Sequence, residues 1–268
     1  VASGQAFPDA LSAAPAATIA GAPVLLTLGD RIPAPVLAEL KRLDPSKIVI
    51  VGGTNAVGAS VGKELAGLAD VTRIGGADRF AVSRSIAETA FPDGTDRVVL
   101  ATGRTFPDAL SAGAAVNGKA PVILIDGAAT SLDSATKALL AKLGAKDVVI
   151  VGGTDAVTAA LGDDVAKIAT VTRLAGEDRY ASSRAINEFF VEKADRVVLA
   201  TGANFPDALS GSAFAPAVDA PLFTVQTDCI PADTLTQITA LGAKQVTLLG
   251  GTTVLTPAVE SLTACPAE

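Results

Sequence analysis

VVLATGRTFPDALSAG, residues 98–113, returns as VVLATGANFPDALSGS at 197–212 and, in a shorter copy, as VASGQAFPDALSAA from Val1. Phe7, Phe106 and Phe205 open the three Phe-Pro-Asp triplets and stand 99 residues apart in both intervals. A fixed period means one unit repeated. Solenoid repeats run to roughly 20–50 residues, so this unit is too long for one. It has the size of a small domain of about 100 residues. The chain therefore reads as three homologous units in tandem.

The stretch has its own local logic. Val98, Val99 and Leu100 are apolar and β-favouring, as in a strand buried on both faces. Gly103 breaks the strand. Pro107 suits a first helical turn, where its missing N–H would have no partner anyway. Asp108 follows in the same turn, where a carboxylate favours the helix dipole. The Ala-rich run behind it is a strong helix former. Strand, glycine loop and helix together set backbone N–H groups at the C-terminal end of a strand.

Outward from this stretch the second unit alternates strands and helices. Val98–Ala101 is the first strand and Pro121–Ile125 the second. Between the second and third strands, Leu132, Ala135, Leu139, Leu140 and Leu143 have the spacing of an amphipathic helix that Gly144 ends. Asp147–Val151 is the third strand, closed by Gly152 and Gly153. Thr154 or Asp155 is expected to cap the next helix, running to about Ala169. Val171–Leu174 is a short fourth strand, followed by a helix that starts at Asp178, Arg179 and Tyr180. Such alternation implies right-handed crossovers and a parallel sheet, hence a small doubly wound α/β unit. The expected units are 1–70, which is N-terminally incomplete because Val1 is in register with Leu100, then 71–170 and 171–268. The fourth-strand segments, near 71–91 and 171–191, lie between units, and either neighbour could own them.

Composition narrows the function. Apolar residues make up 49% of the chain, which excludes disorder. With one Tyr and no Trp, the cores must be built from Ala, Val, Leu and Ile. The net charge of −7 argues against nonspecific nucleic-acid binding, which needs many cationic contacts to phosphates. The chain has no His, which removes Ser-His-Asp and Cys-His catalysis and the commonest transition-metal ligand. The uncharged run 10–29 has membrane-span length, but Pro15 and Pro23 interrupt it. Its counterparts in the other units contain Lys119 and Asp219, so no span is expected.

The loops at the strand ends hold the candidate site, since ligands of open α/β sheets bind at that edge. They carry Asp9, Asp108 and Asp207 in the Phe-Pro-Asp triplets and Gly53, Gly153 and Gly251 in the Gly-Gly-Thr turns. The turns lack the spacing of a dinucleotide loop and the lysine of a P-loop. RIGGADRF (73–80) and RLAGEDRY (173–180) pair a strand-end arginine with one at a helix start. An arginine at a helix N-terminus opposes the dipole and needs a partner. For Arg79 and Arg179 that partner is either the adjacent Asp78 or Asp178, or a bound anionic group. Cys229 and Cys265 are the only cysteines, 36 residues apart and outside any C-x-x-C pattern. Their simplest reading is a disulfide that pins the last helix, and a disulfide implies an exported protein. The alternative is two buried thiols.

Three copies of ATGxxFPDALS, a proline-led apolar strand, a Gly-Gly-Thr turn and R-x-x-G-x-D-R-[FY] between units resemble the cell-wall-binding repeat type 2 family. The resemblance covers nearly the whole chain. It implies three Rossmann-like or toprim-like α/β modules in a pseudo-threefold arrangement, packed on each other within one chain. It further implies a secreted, wall-associated, Gram-positive surface protein held by an anionic secondary wall polymer such as a teichoic-acid-like chain. The ligand-binding positions it implies are Arg73, Asp78, Arg79, Arg173, Asp178 and Arg179, with Asp9, Asp108 and Asp207 at the triplets. The first unit lacks an Arg motif of its own. No cofactor, metal or catalytic residue is implied. A noncatalytic anchor is the leading reading. A wall hydrolase or phosphate-ester enzyme using the Asp/Gly-rich strand ends is the alternative, and a spacer in a surface layer is the third.

Overall fold

The computed structural model describes residues 1–266. The first unit contains β1 (Ala2–Ser3), α1 (Pro8–Leu11), α2 (Ala13–Ile19), β2 (Leu26–Thr27), α3 (Ala34–Leu43), β3 (Lys47–Val51), α4 (Ala59–Ala66) and β4 (Asp70–Ile74). After α5 (Arg79–Ala90) the second runs β5 (Arg97–Thr102), α6 (Pro107–Ala115), β6 (Val122–Ile125), α7 (Ser134–Leu143), β7 (Asp147–Val151), α8 (Ala159–Val165) and β8 (Thr170–Leu174). After α9 (Arg179–Phe190) the third runs β9 (Arg196–Thr201), α10 (Pro206–Ala217), β10 (Leu222–Val225), α11 (Ala232–Ala240), β11 (Gln245–Leu249) and α12 (Pro257–Glu260). All the sheets are parallel, in the orders β2-β1-β3-β4, β6-β5-β7-β8 and β10-β9-β11.

β4 pairs with β3 over Lys47–Val51, yet the α5 helix that follows packs on β6 and on α2. β8 likewise closes the second sheet, and α9 crosses to β10 and α6. Each Arg motif thus ends one sheet and starts the helix that covers the next. Sheet membership changes after Ile74 and Leu174, while the helices belong to the following unit.

The ring is held by one shared core. The inner faces of the sheets and the helices behind the Phe-Pro-Asp triplets form a single apolar cluster, with Leu11, Leu110 and Leu209 in it beside Val99 and Val198. The outer face of each sheet packs separately on its own helices. Small side chains let the inner helices approach: a Cβ built on Gly113 would lie 3.4 Å from Ala14 Cβ and 3.6 Å from Ser212 Cβ. Phe7, Phe106 and Phe205 meet edge to face, with centroids 5.6, 5.6 and 5.8 Å apart. That arrangement is the favoured one for aromatic pairs, and it marks the pseudo-threefold axis.

Local corrections have tertiary causes. The helix after the Gly-Gly-Thr turn starts at Ala159, not near Thr154, because Thr158 caps it by accepting from the Leu161 amide. Thr158 Oγ1 also donates to the Ala129 carbonyl, 2.6 Å away, which fixes the cap to the neighbouring loop. In the first unit the inner helix breaks at Ser12, where Pro15 has no N–H for the Leu11 carbonyl. Cys229 and Cys265 form the disulfide, with Cα atoms 4.9 Å apart. Cys265 lies beyond the last helix in an extended segment beside Ile230, to whose carbonyl it donates. No described helix is long and apolar enough to cross a membrane.

Candidate functional site at the unit junctions

In each unit the sheet order reverses beside the central strand, which opens a crevice at the strand ends. The crevice of the second unit lies between the loops after β5 and β7. Asp108 fills it, because a Cβ built on Gly152 would stand 2.7 Å from Asp108 Oδ2. The same contact recurs at 2.5 Å between Gly52 and Asp9 and at 2.9 Å between Gly250 and Asp207. These glycines also hold φ of 110°, 103° and 122° at Gly52, Gly152 and Gly250, a region L side chains avoid. The glycines picked from sequence, Gly153 and Gly251, have no neighbour within 4 Å of such a Cβ, and Gly53 has only the Gly76 carbonyl, at 3.8 Å. They form the open lip of each crevice, and the glycine before each forms its floor.

Arg79 spans the first junction. Its Nη1 donates to the Gly103 carbonyl of the second unit at 2.7 Å, and its guanidinium lies 5.9 Å from the Phe7 centroid of the first. Arg179 repeats this at the second junction, with Gly202 at 2.6 Å and the Phe106 centroid at 5.8 Å. Among the described residues neither arginine forms an ion pair with the adjacent aspartate. Asp78 instead caps α5 through the Ala81 amide, and Asp178 caps α9 through the Tyr180 and Ala181 amides. Phe80 and Tyr180 close each junction from the side. A Cβ on Gly103 would stand 2.8 Å from the Phe80 ring, and one on Gly202 would stand 2.6 Å from the Tyr180 ring.

Arg73 and Arg173 face another way. Arg73 Nη1 donates to the Gly52 carbonyl at 2.8 Å. Arg173 donates to the carbonyls of Gly152, Gly153 and Thr158. Both brace the glycine turn of their own unit from behind, and burial lowers the pKa of Arg173. The structure thus brings Asp9 to Arg79 and Asp108 to Arg179, and keeps Arg73 and Arg173 apart from them.

Electrostatics follow the geometry. Burial raises the Asp108 carboxyl above its ordinary range, against a Ser182 hydrogen bond and the charge of Arg179. Burial also raises Asp9, with Arg79 opposing. Each guanidinium has five N–H donors. Among the described residues only Nη1 of Arg79 and of Arg179 has a hydrogen-bond acceptor, so each junction keeps donors for a further acceptor. Phe80, Tyr180, Gly52, Gly152 and Gly250 are site residues that sequence reasoning missed. The [FY] of the Arg motif and the doubling of the glycines were the signals available.

A ring of three α/β repeats with charged, aromatic-lined seams at the strand ends defines a class of repeat module. The sequence matches the cell wall binding domain 2 (CWB2) profile over residues 1–62, 73–161 and 173–260, and the chain belongs to that family. It is 31% identical over 228 residues to the amidase enhancer of Bacillus subtilis strain 168, which takes in 84% of this chain and 31% of that protein. It is 29% identical over 215 residues to the N-acetylmuramoyl-L-alanine amidase LytC of the same strain, or 79% of this chain and 42% of that one. Among solved structures, Cwp6 from Clostridium difficile matches 100% of this chain and 44% of its own, with a TM-score of 0.88 and 26% identity. Cwp8 from the same organism matches 97% and 46%, with a TM-score of 0.85 and 27% identity. The chain therefore spans under half the length of each of these relatives. Its repeats are cell wall binding domains.

Proposed function

We propose that this chain is a noncatalytic module that anchors an exported protein to the bacterial wall by gripping an anionic secondary wall polymer at its unit junctions. The observation that carries this reading is the repeated seam. Arg79 and Arg179 each lie over a phenylalanine of one unit, hydrogen-bond a carbonyl of the next, and keep N–H donors unused. Arginine suits phosphate and carboxylate because its donors form a planar fork. The protein is acidic overall, with a net charge of −7, so attraction to a polyanion must be local. We assign the three binding repeats as 1–70, 71–170 and 171–268, each Arg motif going with the sheet its helix covers. Repeated weak sites on one body gain through effective concentration, and avidity can exceed a single affinity by roughly 10²–10⁴.

The test is sedimentation with purified walls, intact and after chemical removal of their anionic polymers. Binding should follow the polymer and weaken with salt, since exposed charges are screened over about 10 Å at 0.1 M. Equal binding to stripped walls would reject the polymer. Turnover of peptidoglycan or phosphate esters by the purified chain would favour the enzyme reading instead.

A further inference from the structure

The seams at Arg79 and Arg179 share one backbone. At the first, the Gly103 amide donates to the Ile125 carbonyl, and Thr102 Oγ1 accepts from the Arg104 amide. At the second, the Gly202 amide donates to the Val225 carbonyl, and Thr201 Oγ1 accepts from the Ala203 amide. Thr102 pairs with Ile125 and Thr201 with Val225, so Asp126 and Ala128 correspond to Gln226 and Asp228. On this common frame the side chains differ in charge. Arg104 follows the carbonyl that Arg79 grips, whereas Ala203 follows the one that Arg179 grips. Arg104 is exposed, and Asp126 holds it through Nε to Oδ1 at 2.5 Å and Nη2 to Oδ2 at 3.1 Å. That fork uses two of its five N–H donors and fixes the guanidinium at the loop with Nη1 unused. An exposed pair of this kind adds little to stability. The second seam departs in the opposite sense. Ala77, Phe80 and Val82 of the first become Glu177, Tyr180 and Ser182. The first seam thus sets Arg79 and Arg104 against Asp9, Asp78 and Asp126, while the second sets Arg179 alone against Asp108, Glu177, Asp178 and Asp228. Burial raises the Tyr180 hydroxyl above its ordinary range, Arg179 opposes, and Asp178 and Asp228 add to the rise, so both carboxylates act on that hydroxyl. Ser182 hydrogen-bonds Asp108, a contact that Val82 cannot make with Asp9.

We propose that the two seams divide the polymer between them: the first reads its anionic groups, with Arg104 as the specificity-determining residue, and the second reads hydroxyl groups of its uncharged parts. This deepens the anchoring reading and rests on it. A phosphate or carboxylate at the first seam meets two guanidinium groups with unused donors on one loop, one bonded to Gly103 and the other borne by the next residue. Asp126 serves as the positioning residue that keeps Arg104 extended. At the second seam a single guanidinium is outnumbered by carboxylates, and a surface of one sign turns away ligands of that sign. Hydroxyl groups suit it instead, because carboxylates accept from them and the Tyr180 hydroxyl both donates and accepts. A polymer that alternates charged and hydroxyl-bearing groups satisfies both seams of one ring.

The probe is inorganic phosphate, titrated into the isotope-labelled chain at constant ionic strength and followed by amide NMR. Amides of 103–105 and 126–128 should shift, and those of 202–204 should not. Arg104→Ala should weaken phosphate binding by at least about fivefold, because one of two sets of charge-assisted donors is lost. Converting the second loop to the first, by Ala203→Arg, Gln226→Asp and Asp228→Ala together, should bring phosphate-dependent shifts to 202–204. On purified walls, Arg104→Ala should reduce binding and flatten its salt dependence. Tyr180→Phe should reduce wall binding and leave its salt dependence as it is. Equal phosphate shifts at both seams, shifts at neither, or parental phosphate affinity in Arg104→Ala would overturn the division while wall binding by the parent chain kept the anchor. Phosphate shifts confined to the first seam in a chain that does not sediment with walls would reject the anchor and uphold the anion preference of Arg104.

Discussion

Arg79 Nη1 donates to the Gly103 carbonyl oxygen at 2.7 Å, and that bond ties the start of α5 to the loop after β5 while the guanidinium lies over Phe7 of the first unit. Hydrogen bonds to charged groups contribute more than neutral ones, and the face of Phe7 adds a cation–π contact. Arg79→Ala should therefore cost about 1–2 kcal/mol of stability as well as wall affinity. Arg179→Ala should cost a similar amount, and because the seams share no partner the two losses should add. Chemical denaturation of both single variants and the double variant checks this. A double variant as stable as the parent would show that the seam bonds contribute nothing to the ring.

The two glycines of each turn should behave oppositely. Gly152→Ala places a Cβ 2.7 Å from Asp108 Oδ2 and 2.9 Å from Ala156 Cβ, at a φ of 103°. It should destabilise by at least about 2 kcal/mol. Gly153→Ala meets nothing within 4 Å. Its effect should stay within about 1 kcal/mol of the parent, and a stabilising sign is allowed because alanine restricts the unfolded chain. Melting curves of the pair separate floor from lip.

Two carboxylates, half-buried Asp108 and buried Asp164, should give opposite pH signatures. Burial raises Asp108, so the folded state holds its proton more tightly than the unfolded chain does. The charged form then costs stability above the folded pKa, and the cost fades as pH falls toward the ordinary carboxylate value of 3.8. Asp108→Asn should accordingly raise the melting temperature at neutral pH and bring little gain near pH 4. Asp164 is lowered to about 2, first by Lys137, then by the Leu132 amide, with Lys167 adding to it. Its contribution is present above the ordinary carboxylate value of 3.8 and is lost as pH falls toward about 2. The deficit of Asp164→Asn should therefore shrink over that interval. Melting temperatures across pH 2–7 test both signs.

Reducing the Cys229–Cys265 disulfide opens a loop with a sequence separation of 36. The chain-entropy model gives about 3–4 kcal/mol for a loop of this length. The loss should be felt first at α12 and at the Cys265 amide bonded to Ile230. Hydrogen exchange after reduction should show early exposure of 257–265 while β9 stays protected. Uniform loss of protection would mean that the bridge supports the whole third unit instead.

Much of this was legible because it is local or periodic. Asp147–Val151 is a buried apolar run between turn signals, and it is a strand with those bounds. Asp178 stands before a helical pattern, and it is the cap. The spacing of the triplets announced three units, and the ring followed from the resemblance. What stayed hidden depends on residues distant in sequence. Gly152 and Gly153 are indistinguishable locally, and only the approach of Asp108 from another loop decides which one takes positive φ. Arg73 and Arg79 look alike in a motif, yet Arg73 turns to the Gly52 carbonyl behind the glycine turn while Arg79 bonds Gly103 and lies over Phe7 of the first unit. The ownership of the Arg motif was open in the sequence because the motif is shared, its strand in one sheet and its helix on the next.

The aromatic trio also sets a copy number. Phe7, Phe106 and Phe205 are inclined to one another by 62°, 64° and 62°, and each touches both of the others. Such a cluster closes on itself at three members. A fourth repeat would find no ring face to meet, and loss of one would leave two rings with an open side toward water. Duplication within this chain could therefore extend it productively only by whole rings. Shuffling a single repeat in or out would be felt at the axis before it was felt at any seam.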